Sequence, residues 1–195
     1  MDIILASASP RRKELLGFIT EKFECIPADI DETLPENISA DDSAEYLARL
    51  KAEHIAASHP NSIVIGCDTV VVYNSEVFGK PVSEEDAELM LNKLSGNVHK
   101  VITGVSICCN ERKLSFSEIT EVEFFELTEK EITDYIAGSE GDKREWEDKA
   151  GGYAIQGVFS KVVKRIHGDY YSVMGLPVAR LYQELKKVDG DIKFV

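Results

Sequence analysis

The sequence predicts an α/β fold in which a mixed β-sheet is flanked by helices. Three observations lead there. Short runs rich in Ile and Val read as buried strands. Segments with helical spacing and recognisable caps lie between them. The two kinds mix without the strict alternation of a purely parallel architecture. A length of 195 residues suits one domain, and two small lobes sharing one sheet are compatible with it.

Ile3–Ala6 reads as a short buried strand. Ser9 and Pro10 follow as N-cap and first residue of a helix to about Gly17, because proline has no N–H to lose there. Cys25–Pro35 shows no periodicity and reads as irregular and acidic. Ser43–Ser58 has helical apolar spacing and stops at His59-Pro60, since the residue before a proline is pushed out of the helical region. Ser62–Tyr73 is a strand, Asn74-Ser75 a turn, and Glu76–Phe78 its hairpin partner.

Ser83–Ser95 is a helix with Ser83 as N-cap, Asp86 at the third position and Gly96 past its end. Val98–Cys109 and Leu114–Glu126 are strand-like. Thr128-Glu129-Lys130-Glu131 is a capping box for a helix reaching about Ala137. Residues 138–152 read as a polar, glycine-bearing loop. Val158–Ile166 and Tyr170–Met174 look like strands, and Pro177 starts a last helix to about Lys187.

Composition excludes several classes. Hydrophobic residues make up 44% of the chain, enough for a core, so intrinsic disorder is not expected. The net charge of −13 argues against a nucleic-acid binder, which needs a basic face. No apolar run approaches the ~18–20 residues of a membrane span, and no membrane partner is expected. The start, Met1-Asp2-Ile3-Ile4-Leu5, lacks the basic and apolar regions of a signal peptide. Cys25, Cys67, Cys108 and Cys109 show no C-x-x-C spacing, and the adjacent pair cannot bridge without strain. They read as reduced, buried thiols of a cytoplasmic protein. His54, His59, His99 and His167 form no zinc-binding pattern.

Function is sought where local rules fail. A helix N-terminus prefers acidic residues, yet Arg11, Arg12 and Lys13 follow Pro10. The small-residue turn Ala6-Ser7-Ala8-Ser9 precedes them, so the whole resembles a phosphate site, with a solvated basic turn as the plainer alternative. Lys51 falls within the apolar stripe Ala44, Leu47, Ala48, Ala52, Ile55. A lysine buried there needs a charged partner or its pKa falls; it either snorkels to the edge or has a functional role. Asp68 interrupts the apolar run Ile63–Val72, where a carboxylate must be paired, metal-bound or protonated. Gly66, two residues earlier, permits a close backbone approach.

Lys80 sits between Gly79 and Pro81, which fix its position. Gln156 lies in a glycine-framed stretch from Asp148 to Gly157. Its amide both donates and accepts, as reading a base edge requires, though the stretch by itself reads as a strand with a polar neighbour. Glu32, with Asp29 and Asp31, could join Asp68 in binding polyphosphate through a divalent metal, or could belong to a solvated loop.

Together these motifs resemble the Maf family of nucleotide pyrophosphatases. The blocks are Leu5 to Leu16, Leu47 to Ala52, Gly66-Cys67-Asp68-Thr69, Gly79-Lys80-Pro81, Asp148 to Gly157, and Gly168 to Pro177. They follow the family's order from about Ile3 to the last helix, which implies one family domain over residues 1–195. The resemblance implies an inosine-triphosphate-pyrophosphatase-like fold of two lobes with a central cleft. It implies hydrolysis of nucleoside triphosphates to the monophosphate and pyrophosphate with a divalent cation (Mg, Mn or Co). Carried over by position, Asp68 is the catalytic carboxylate and Glu32 its partner in holding the metal. Ser7, Arg11, Arg12, Lys51 and Lys80 match phosphate-handling positions.

Arg11, Thr69 and Gln156 occupy the positions that distinguish subgroups, and this set resembles the dTTP/UTP subgroup. Modified pyrimidine nucleotides are further substrates the resemblance allows. A homodimer is implied as well. The alternative function is a nucleotide-binding regulator of cell division with little catalysis. Two departures stand out: the Gly141–Glu147 loop, carrying Trp146, is longer than usual, and Gly152-Tyr153-Ala154 replaces the commoner Ala-Tyr-Gly. That loop is expected near the base pocket.

Overall fold

The computed structural model describes residues 1–138, 144–188 and 194–195. The expectation for the long loop therefore falls partly on residues 141–143, outside the described ones. The strands are β1 (Ile3–Leu5), β2 (Glu24–Cys25), β3 (Ile63–Tyr73), β4 (Glu76–Phe78), β5 (Val98–Cys109), β6 (Arg112–Phe124) and β7 (Val163–His167). The helices are α1 (Pro10–Gly17), α2 (Ser43–Ala56), α3 (Glu84–Leu94), α4 (Glu129–Ala137), α5 (Tyr170–Met174) and α6 (Val178–Val188).

One seven-stranded sheet runs β2-β1-β3-β5-β6-β7, with β4 paired to β3. The β1–β2 and β1–β3 pairs are parallel, whereas β3–β4 and β6–β7 are antiparallel, so the sheet is mixed as predicted. The chain forms two compact units. The first comprises Met1–Thr69, Ile102–Glu118 and Tyr170–Val195; the second comprises Val70–Val101 and Ile119–Asp169.

In the first unit, α2 lies hard against the sheet. Its buried face is Ala44, Leu47, Ala48, Lys51, Ala52 and Ile55. The close approach depends on two glycines. A Cβ on Gly66 of β3 would overlap the Ala48 carbonyl oxygen and lie 2.6 Å from the Ala52 nitrogen. A Cβ on Gly104 of β5 would overlap the Ala44 backbone. Alanines on one side and glycines on the other thus let helix and strands pack almost backbone to backbone. Leu5, Leu15, Ile63 and Ile65 are fully buried in the same unit.

In the second unit, Asn74 and Ser75 both take positive φ (49° and 64°), the geometry of a two-residue hairpin turn. Ser83 caps α3 by accepting from the Asp86 N–H. The capping box of α4 is complete: Thr128 Oγ1 accepts from Glu131 N, and Glu131 Oε2 accepts from Thr128 N. Phe124, Tyr153, Phe159 and His99 form an aromatic cluster in its core.

Two expected strands are corrected. Val158–Ile166 is half wrong, because Gly157–Val162 forms 3-10 turns before β7 begins. Gly157 has φ +74°, and the Glu145 carboxylate fills the space where a side chain would stand. Tyr170–Met174 is helix, not strand. Its aromatic and β-branched content favours β structure, but Gly168 and Gly175, at φ +138° and +117°, turn the chain sharply on either side. The two-residue β2 and a 3-10 turn at Ala40–Asp42 were not anticipated.

Candidate active site

The two misplaced charges of the first unit are partners. Lys51 and Asp68 are each only 8% exposed, and Lys51 Nζ donates to Asp68 Oδ1 at 2.5 Å. The same nitrogen lies 2.9 Å from Glu32 Oε1, whose side chain is 55% exposed. One buried ammonium therefore carries two carboxylates, one from the strand and one from the acidic stretch. Lys51 thus has the charged partner its burial requires; of the readings left open for Asp68, pairing holds. The α2–β3 contact at Gly66 sets this geometry, since residues 48, 51 and 52 share one helical face.

Glu32 is presented by a turn. Asp31 Oδ1 accepts from the Thr33 N–H at 2.9 Å, and hydrogen bonds from the Thr33 side chain and backbone together hold the Asp31 carboxyl below its ordinary range. Asp31 is thus occupied with its own backbone while Glu32 reaches Lys51. Two carboxylates on one nitrogen fit a divalent cation of the Mg type, which takes one or two protein carboxylates and completes its shell with water and phosphate. Among the described residues no three His, Cys, Asp or Glu side chains form a metal-binding group, so a cage built wholly of protein is not what this site offers.

A second group surrounds Arg12. Ser9 caps α1, its Oγ accepting from the Arg12 N–H. The Arg12 side chain turns inward: Nε donates to the Gly175 carbonyl at 2.9 Å, Nη2 to Thr69 Oγ1 at 3.1 Å and Nη1 to Ser7 Oγ at 3.4 Å. All its partners are neutral, so its positive charge is held in place without being cancelled. Ser7, 8% exposed, also accepts from the Ser9 N–H. Arg11 sits half-buried beside Arg12.

Sequence reasoning does not single out three further members of this group: Thr103 and the carbonyls of Ser172 and Gly175. Thr103 on β5 is fully buried and bonded to Thr69 and to the Ser172 carbonyl. The Gly175 carbonyl accepts from Arg12 and from the Cys67 thiol, which burial pushes up to about 11. Cys67 is therefore an inert thiol, and all four cysteines are free, as expected, although Cys25, on the short β2, is half-buried where a buried thiol was expected. The one available signal for Thr103 was a hydroxyl in the apolar run Val101–Ile107.

Lys80 and Gln156 belong to the second unit, where both are exposed. Their motifs meet there: the Gly151 N–H donates to the Gly79 carbonyl at 3.0 Å. Gly151 and Gly152 have φ near +73°, and a side chain on Gly151 would strike Val71. Gln156 precedes the 3-10 turns and is not in a strand. Trp146 is buried at 3% exposure, its Nε1 donating to the Ile136 carbonyl. It anchors its own loop to α4.

Three findings from known proteins bear on these features. The fold is that of the Ham1 protein of Staphylococcus aureus, with a TM-score of 0.59 over 97% of this chain and all of that one, at 16% identity. A family model described as "Maf-like protein" matches residues 2–188, and the chain belongs to the Maf family. Relatives from Bacillus mycoides (strain KBAB4) and Bacillus cereus (strain ATCC 14579) are 48% identical over 97% of both chains, and each is named "dTTP/UTP pyrophosphatase".

Proposed function

We propose that this chain hydrolyses nucleoside triphosphates, dTTP and UTP among them, to the monophosphate and pyrophosphate. The observation that carries the reading is the buried Lys51 shared by Asp68 and Glu32. In the proposed reaction, water attacks the α-phosphorus and the bond to the β-phosphate oxygen breaks. Lys51 fixes Asp68 through Oδ1, leaving Oδ2 to take the proton of the attacking water. Ser7, Arg11 and Arg12 at the start of α1 receive phosphate oxygens, where charge grows in the transition state. Glu32 and Asp68 are the residues that would hold a divalent cation, which when bound offsets phosphate charge and polarises phosphoryl oxygens. Lys80 is assigned to phosphate and Gln156 to the base, both on the family pattern. The names of the 48% identical relatives support the pyrimidine preference.

The reading extends to a homodimer in the cytoplasm, which light scattering and cell fractionation test. No described helix is long and apolar enough to cross a membrane. Activity is tested by pyrophosphate release from a nucleotide panel, modified pyrimidines included, with Mg²⁺, Mn²⁺ or Co²⁺. Asp68→Asn is expected to lower turnover by about 10³-fold while keeping the fold. Wild-type turnover in that variant would refute the base assignment. Nucleotide binding without pyrophosphate release would point to a regulator of cell division instead.

A further inference from the structure

The neighbours of Thr69 decide where its hydroxyl proton points. Thr103 Oγ1 lies 2.7 Å from the Ser172 carbonyl oxygen and 2.9 Å from Thr69 Oγ1. A carbonyl only accepts, so the single Thr103 proton goes to Ser172. Toward Thr69, Thr103 is then an acceptor, and Thr69 must donate to it. Arg12 Nη2 takes a second position on Thr69 Oγ1, and a guanidinium cannot accept. Thr69 is left with one lone pair and no proton for anything else. Thr103 is fully buried, whereas Thr69 is half-buried and within reach of a ligand.

From this the structure assigns Thr103 as a positioning residue that holds Thr69 as a hydrogen-bond acceptor toward the substrate, matched to the imide N–H of a uracil or thymine ring. The inference rests on the pyrimidine-nucleotide reading above and deepens it. Phosphate oxygens carry no proton to give at neutral pH, so a lone pair on Thr69 would face their lone pairs. Uracil and thymine present N–H at ring position 3; cytosine presents a bare nitrogen acceptor there. The same fixed lone pair that welcomes the first two repels the third, and a buried mismatch of this kind costs more than a lost contact.

The test compares UMP and CMP binding by calorimetry, which no turnover confounds, in the wild type, Thr103→Val, Thr103→Ser and Thr69→Val. Valine keeps the shape of Thr103 but frees the Thr69 proton to point at the ligand. The Ser172 carbonyl retains the Gly175 N–H at 2.9 Å, so the fold is expected to survive the change. The expected result is that T103V lowers the wild-type preference for UMP over CMP by about tenfold. T103S restores it, and T69V removes it. An unchanged ratio in T103V or T69V, which a sugar hydroxyl on Thr69 would also give, overturns the proposal. Failure of T103S to restore the ratio overturns it too. Pyrophosphate release from UTP by the wild type tests the activity reading separately.

Discussion

Gly66→Ala joins the fold to the chemistry in one atom. The added Cβ would overlap the Ala48 carbonyl oxygen, lie 2.6 Å from the Ala52 nitrogen and 2.9 Å from Ala52 Cβ. Non-bonded carbons settle near ~3.5 Å, so α2 must move about 1 Å away from β3. The obstacles are mostly backbone, which no rotamer change can relieve. Overpacking of this kind costs about 3 kcal/mol, or a drop of about 6–12 °C in Tm for a chain of this size. The same movement carries Lys51 away from Asp68, whose contact is 2.5 Å. A misplacement of that size lowers kcat/KM by about 10²-fold. Thermal melts and pyrophosphate release read the two effects together. Ala52→Gly in the G66A background should rescue neither, because the Ala48 oxygen remains. Gly17→Ala is the control: nothing lies within 4 Å of its Cβ, and Tm should not fall. A G66A protein with wild-type Tm and turnover would refute the claim that this close approach sets the Lys51–Asp68 geometry.

Lys51→Met should cost about 3 kcal/mol, because it orphans a buried carboxylate, and should abolish turnover. Lys130→Met, at the exposed pair with Asp134, should leave Tm unchanged; equal losses in the two variants would count against the buried-pair reading. His99 gives a pH signature. It is 2% exposed, and burial pushes its imidazole down to about 4. The unfolded chain therefore binds a proton that the folded one refuses between about pH 6.5 and 4. Stability falls as pH drops through that window, by about 3 kcal/mol in all. Urea midpoints against pH should show this slope in the wild type and a flatter one in His99→Phe; equal slopes would remove His99 as its cause.

Much of this was legible in the chain itself. The Ser9-Pro10 start, the Thr128 capping box and the Asn74-Ser75 turn are signals set by residues within a few positions of one another, and each element stands where they place it. Lys51 and Asp68 were legible as violations: an amine on an apolar helical face and a carboxylate in an apolar strand. That they answer each other was not, because seventeen positions separate them and nothing local records the contact. Tyr170–Met174 failed for a related reason. A five-residue apolar run carries no period that separates strand from helix, and the glycines at 168 and 175 decide it.

The sequence by itself determined most of the element types, the family and the residues whose placement violates local physics, since periodicity, caps and motif order are properties of neighbours along the chain. Only the tertiary structure decided that Lys51 holds both Glu32 and Asp68, that Arg12 is tied to neutral partners, and that Thr103 directs the Thr69 proton. Those facts depend on how closely α2 sits on β3 and which carbonyl faces β5. Burial supplies the reason: once water is excluded, each charge and each hydroxyl proton must find its partner inside the protein, and distant segments supply it.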